Sequence, residues 1–254
     1  MRALRTTLLL LGTLCTTPGV SAADSSVACG PDAGVLDFDK LAEQVKERRV
    51  PVSSADLPKL PPGFENEPPV PLRLSGKPDL VQAYLRCPEK RCNVRVVLMT
   101  QQGQDFNVTA KIDLPTLPRN STGLSFEQAA LFDITGDGKE ELLVRYTIHG
   151  PDRAALGPLH TDMLAVVNVP EMTLALTHEL AWYGNPEGDP RCEVGVSRLD
   201  LNGDRRQDLR FSRTCSCPKD AYAPCRKGGT EEFLATANHR FTARPAAKPA
   251  PKAK

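Results

Sequence analysis

One stretch of this chain occurs twice. Leu131-Phe132-Asp133-Ile134-Thr135-Gly136-Asp137-Gly138-Lys139-Glu140-Glu141-Leu142 aligns without gaps with Arg198-Leu199-Asp200-Leu201-Asn202-Gly203-Asp204-Arg205-Arg206-Gln207-Asp208-Leu209, 67 residues further on. The shared frame is Asp-x-(Thr/Asn)-Gly-Asp-x-x-x-(Glu/Asp)-Leu, and short apolar runs of strand length flank both copies. A tight polar turn between two such runs is a hairpin, so the repeat commits the chain to antiparallel pairing in two places.

The surrounding sequence reads the same way. Alternating or β-branched runs occur at Leu80–Arg86, Val94–Thr100, Phe106–Leu114, Ala129–Ile134, Leu142–Ile148, Met163–Val169, Thr173–Trp182, Val194–Leu199, Leu209–Arg213 and Glu232–Phe241. Gly, Pro, Asp or Asn separates them. This predicts an all-β domain over 79–243, with antiparallel strands in a propeller-blade-like or sandwich arrangement. One helix is expected, Val35–Arg49 within an N-terminal segment 23–50, with Asp37 as its N-cap and Phe38, Leu41 and Val45 on its apolar face. Eight prolines in the 28 residues 51–78 favour an extended linker or strap. Residues 244–254 end in Pro, Ala and Lys and are expected to form a disordered tail.

Residues 1–22 combine Arg2 and Arg5, an apolar run from Leu8 to Leu14, and the ending Val20-Ser21-Ala22, the layout of a secretory signal peptide. The apolar run is too short for a membrane span, and no later stretch approaches that length. The expected setting is therefore secreted, periplasmic or extracellular. Lys and Arg number 32 against 31 Asp and Glu, which leaves no basic excess for a phosphate backbone and argues against a nucleic-acid partner.

Oxygen-bearing side chains at loop positions 1, 3, 5 and 9, with the carbonyl of position 7, suit a hard cation that takes about 6–8 oxygens. Loop one offers Asp133, Thr135, Asp137, the Lys139 carbonyl and Glu141. Loop two offers Asp200, Asn202, Asp204, the Arg206 carbonyl and Asp208. An EF-hand would need an acid at position 12 and flanking helices, whereas that position is Val144 or Phe211 and the flanks read as strands. The pattern resembles the strand–loop–strand calcium motif of FG-GAP and VCBS repeats, over about 14 residues at each copy. That resemblance implies a blade hairpin pinned by Ca2+ at each loop. Loop two departs from the family at Arg205, which stands where a glycine is usual, and Thr135 replaces an acid or amide.

In an exported chain, cysteines read as disulfides. Cys192 and Cys215 lie almost symmetrically about loop two and are expected to pair, with Cys217 the competing partner for Cys192. Cys87 with Cys92 would close a hairpin, and Cys217 with Cys225 an irregular loop, leaving Cys29 over. The histidines are scattered with no ligand spacing, and no nucleophile, base and orienting group assemble. Trp182-Tyr183 stands before a Gly-Asn-Pro turn as a possible ligand contact. The expected function is a secreted non-catalytic binding or adhesion-type module, with two structural calcium loops and a protein or polysaccharide ligand. The rivals are an extracellular hydrolase using acidic residues and a structural cell-envelope protein.

Overall fold

A strand that alternates apolar and polar residues pairs most readily with its neighbour in sequence, and this chain folds almost wholly by such pairing. The computed structural model describes residues 34–46, 71–86, 92–103, 105–115, 123–151, 153, 157–185, 188–219, 221 and 224–245. The expected signal peptide, Cys29, Cys87, residues 47–70 and the last nine residues lie outside them.

A short β1 (Gly34–Val35) precedes helix α1 (Phe38–Lys46). The first sheet runs in the order β2 (Leu72–Arg73), β3 (Leu80–Arg86), β4 (Asn93–Gln102), β5 (Asp105–Asp113), each strand antiparallel to the next. A second meander follows: β6 (Gly123–Phe132), β7 (Glu141–His149), β8 (His160–Asn168) and β9 (Thr173–Tyr183). A third comprises β10 (Arg191–Leu199), β11 (Asp208–Ser216), β12 (Gly229–Ala235) and β13 (Phe241–Ala243). The expected all-β, antiparallel class is what the chain adopts.

The second and third meanders are joined by a short seam. β9 and β10 pair only at Trp182↔Cys192 and Ala181↔Glu193, after which β10 takes β1 as its neighbour, through Ser197↔Val35 and Arg198↔Gly34. The third meander then turns back over the second. His178 of β9 stacks on Phe211 of β11 at 3.8 Å and meets Phe233 of β12 edge-on, across strands that are not ladder neighbours. One core joins all three units, with Val81 and Val96 from the first sheet, Leu142, Val144 and Tyr146 from β7, and Val196, Leu209 and Phe211 from the third meander.

Several strands run one to three residues beyond the expected bounds, and three differences are larger. The helix starts at Phe38 because the Asp37 carboxylate accepts the N–H groups of Asp39 and Lys40, while Leu36 donates to Val196 of β10 and holds the preceding residues in the sheet. Strand β6 begins at Gly123 instead of Ala129, since a bulge at Glu127 shifts the alternation by one residue and hides the first half of the strand. The expected run Glu232–Phe241 is two strands. Thr236 accepts from and donates to the main chain of Arg240, His239 adopts φ 52°, and the chain reverses there. A smaller difference lies at Leu72–Arg73, which pairs with β3 although it falls in the proline-rich stretch.

Two cross-links fix the end of the fold near the seam. Cys192 and Cys215 are directly opposed on β10 and β11, with Cα atoms 4.1 Å apart, and are bonded as expected. The Cys217–Cys225 bridge also forms, and Cys92 is disulfide-bonded. Nearby, Arg153 grips the buried Asp189 carboxylate through both Nη atoms, at 2.8 and 2.5 Å, while the Asn185 N–H donates to the same group. A Cβ on Gly184 would collide with that carboxylate, which is why the turn carries glycine.

Replacing Cys192 and Cys215 together by Ala is expected to cost about 3 kcal/mol of unfolding free energy, read by chemical denaturation. The Arg153 guanidinium holds the Asp189 carboxyl below the ordinary carboxylate range. A lowered folded-state pKa contributes stability that is present above the unfolded value of about 3.9 and is lost as pH falls through the folded value. Asp189→Asn should therefore lower the melting temperature at pH 7, and its deficit relative to wild type should shrink in acid below pH of about 3.

Candidate metal centre

The turn from β6 to β7 is shaped by its first residue. The Asp133 carboxylate accepts N–H groups from Gly136 at 2.7 Å, Asp137 at 3.1 Å and Gly138 at 2.8 Å. Gly136 and Gly138 stand at φ 75° and 85°, a region that favours glycine. The Asp137 carboxylate in turn accepts the Lys139 N–H. At the far end, Glu141 enters β7 with its side chain buried, accepting the Ile134 N–H at 3.0 Å on Oε2. Thr135, also buried, points its hydroxyl at Oε1 from 3.5 Å.

A residue from another hairpin completes the cluster. His239, from the β12–β13 turn, sets Nδ1 3.4 Å from Glu141 Oε1 and Nε2 3.4 Å from Asp137 Oδ2. One ligand atom from each of Asp137, Glu141 and His239 falls within 4.8 Å of the others, an arrangement that can hold a metal ion. The Lys139 ammonium lies 3.1 Å from His239 Nε2. Burial pushes the Glu141 carboxyl up, the Ile134 N–H works against that, and the negative charges of Asp133 and Asp137 add to it. A divalent ion at this point would reverse the imbalance.

Loop two repeats the backbone shape without the cluster. Asp200 accepts the N–H groups of Asn202, Gly203 and Arg205, and Gly203 and Arg205 take φ 80° and 70°, matching their counterparts in loop one. Arg205 thus adopts the left-handed conformation despite its side chain. Asn202 and Asp204 accept the next N–H but one, and the Asp204 carboxylate lies 3.6 Å from the Arg206 guanidinium. The ninth position differs in kind. The fully buried Asp208 accepts Leu201 N–H at 2.8 Å and Ala235 N–H at 2.7 Å, one on each oxygen. Burial pushes its carboxyl up against those two bonds. One methylene accounts for the contrast: Asp208 stops at the β12 main chain, while Glu141 extends to His239.

The two loops lie side by side. Gln207 of loop two donates its N–H to the Thr135 carbonyl at 2.8 Å. Arg198 donates from Nε to the Ile134 carbonyl and from Nη2 to that of Asp133, both at 3.0 Å. Ser75, in the β2–β3 turn, donates its N–H and hydroxyl to the Glu140 carboxylate. The side-chain oxygen of Gln207, packed against Gly136, is buried without a hydrogen-bond partner among the described residues.

Of the ten ligand candidates, Asp137 and Glu141 converge, with Thr135 beside them. His239 was missed because it lies about 100 residues away in a run read as continuous strand, and Asn238-His239 after Thr236 was the available turn signal. Of the aromatic pair, Trp182 is buried against Cys192 at the seam, with the Arg226 guanidinium 4.6 Å over its ring. Tyr183 donates its hydroxyl to Asp162. Among the described residues no helix is long and apolar enough to cross a membrane. The chain matches no family model, no curated protein and no solved structure.

Proposed function

We propose that the protein is an exported, non-catalytic binding or adhesion-type module in which one divalent cation, at Asp137 and Glu141, pins the hairpin ends of a disulfide-linked β scaffold. The observation that carries this reading is the convergence of Asp137, Glu141 and His239 from two distant hairpins on one point. Charge supports it. Residues 133–141 hold four carboxylates against one lysine, whereas 200–208 hold three against two arginines, so loop one has the greater need of a positive partner. The kinship with FG-GAP and VCBS repeats is part of the same proposal, supported by the acidic turn standing between the first and second strands of a four-stranded meander in both copies. Export is supported by the disulfides, which fit an oxidising compartment. On this reading the connecting loops present the surface for a protein or polysaccharide ligand.

The ion we propose is calcium, because two carboxylates and a threonine hydroxyl are hard oxygen donors. The imidazole of His239 is the specific observation that favours zinc instead.

Thermal unfolding separates these readings. The melting temperature is expected to rise on adding about 1 mM calcium, the affinity range of extracellular modules, and to fall with chelator. Asp137→Ala should abolish that response. Asp208→Ala should cost about 2–4 kcal/mol, by orphaning two buried N–H groups, while leaving the calcium response intact. A response to zinc that His239→Ala removes would assign the site to zinc, and no response to either ion would overturn the proposal.

A further inference from the structure

A second group of ligand atoms stands on β6, β7 and β8, at the ends of these strands opposite the first acidic turn. His149 and His160 are cross-strand partners at the ends of β7 and β8. One step further along the ladder, Gly150 donates its N–H to the Leu159 carbonyl, so Gly150 and Leu159 form a hydrogen-bonded pair and His149 and His160 a non-hydrogen-bonded one. In such pairs the Cα atoms stand closer, at about 4.5 Å, and side chains on the shared face meet directly. The two Nδ1 atoms are 2.8 Å apart.

The surroundings prepare these nitrogens as donors to a metal. His149 Nε2 lies 3.2 Å from the Ser125 hydroxyl, which donates to Glu127 at 3.0 Å. That chain places the imidazole proton on Nε2 and leaves the Nδ1 lone pair facing His160, the outer-shell support that metal-bound histidines use. The His160 ring is stacked against Tyr183 at 5.3 Å, and Tyr183 and Thr147 both donate to Asp162, two residues from His160 on the same face. Burial and the neighbouring His149 hold His160 below its ordinary range, against the pull of Asp162. Glu127 and Asp162 add negative charge without competing for the same nitrogens.

We infer that His149 and His160 form a chelating site for a divalent transition-metal ion of the copper(II) type, independent of the acidic loops. With metal–nitrogen bonds of about 2.0–2.1 Å, two nitrogens at this separation subtend roughly 85° at an ion set off the line between them, toward which both rings turn their lone pairs on binding; this is a cis angle of square or tetragonal coordination and narrower than the tetrahedral angle zinc adopts. Copper(II) also heads the affinity order for imidazole ligands. Water oxygens would fill the remaining positions. A shift of the His160 proton from Nδ1 to Nε2 frees both lone pairs, so binding requires no net loss of protons from the pair.

The test uses the full chain carrying Glu141→Gln and His239→Ala, which removes the loop-one cluster, titrated with copper(II) alone and followed by electron paramagnetic resonance. One ion per chain with splitting from two nitrogens is expected. His149→Ala and His160→Ala should each weaken binding at least tenfold, and Ser125→Ala should weaken it less while keeping both nitrogens. Melting curves without metal establish that each variant is folded. Copper binding that survives both histidine substitutions, a signal from a single nitrogen, or no stoichiometric binding would overturn the inference; the last outcome would leave the pair sharing only a proton.

Discussion

Three main-chain N–H groups bound to one carboxylate, that of Asp133, fix the shape of loop one, and the packing of the hairpin ends depends on that shape. With the N–H groups drawn inward, the carbonyls of residues 133 to 135 face outward, where Arg198 and Gln207 bind them. The acidic turn therefore serves as an attachment point for β10 and for loop two. A plain hairpin turn would expose carbonyls too, but would not hold them at fixed positions. The same inward turn brings Asp137 and Glu141 to one side, next to His239.

The two loops show how one backbone shape supports two electrostatic solutions. Loop two is self-sufficient: Arg206 lies by Asp204, and Asp208 spends both oxygens on main-chain N–H groups of Leu201 and Ala235. Loop one depends on a distant residue: its buried Glu141 receives one main-chain N–H and the Thr135 hydroxyl, faces further carboxylates, and has His239 3.4 Å away. A longer side chain at one position, and lysine and glycine where the copy has arginines, leave loop one with a larger excess of negative charge than loop two.

Much of this architecture was legible from local pattern. The strand β3 falls on the expected residues, and the Cys192–Cys215 bridge follows from symmetry about a hairpin, since a hairpin's register is set by its own turn. What could not be read is whatever depends on how hairpins meet. Nothing in the 67-residue spacing says that the loops touch through Gln207 and Thr135, because that contact depends on the path β10 takes after parting from β9 beyond two residue pairs. Nor did strand alternation reveal the bulge at Glu127 or the reversal at His239, each of which breaks the period of two at one residue. The composition of the ligand group was hidden for the same reason: two members are local, and the third arrives by tertiary packing.

The central claim is that loop one, and not loop two, holds a divalent ion. The most direct measurement is a crystal structure of the full chain grown with calcium, with anomalous scattering used to locate the ion. The account predicts a single ion within about 2.3–2.6 Å of carboxylate oxygens of Asp137 and Glu141. It also predicts that the Lys139 ammonium moves away from His239 and that no ion occupies the turn between Asp200 and Asp208. Two occupied loops, or loop one empty with the Lys139–His239 contact intact, would contradict it.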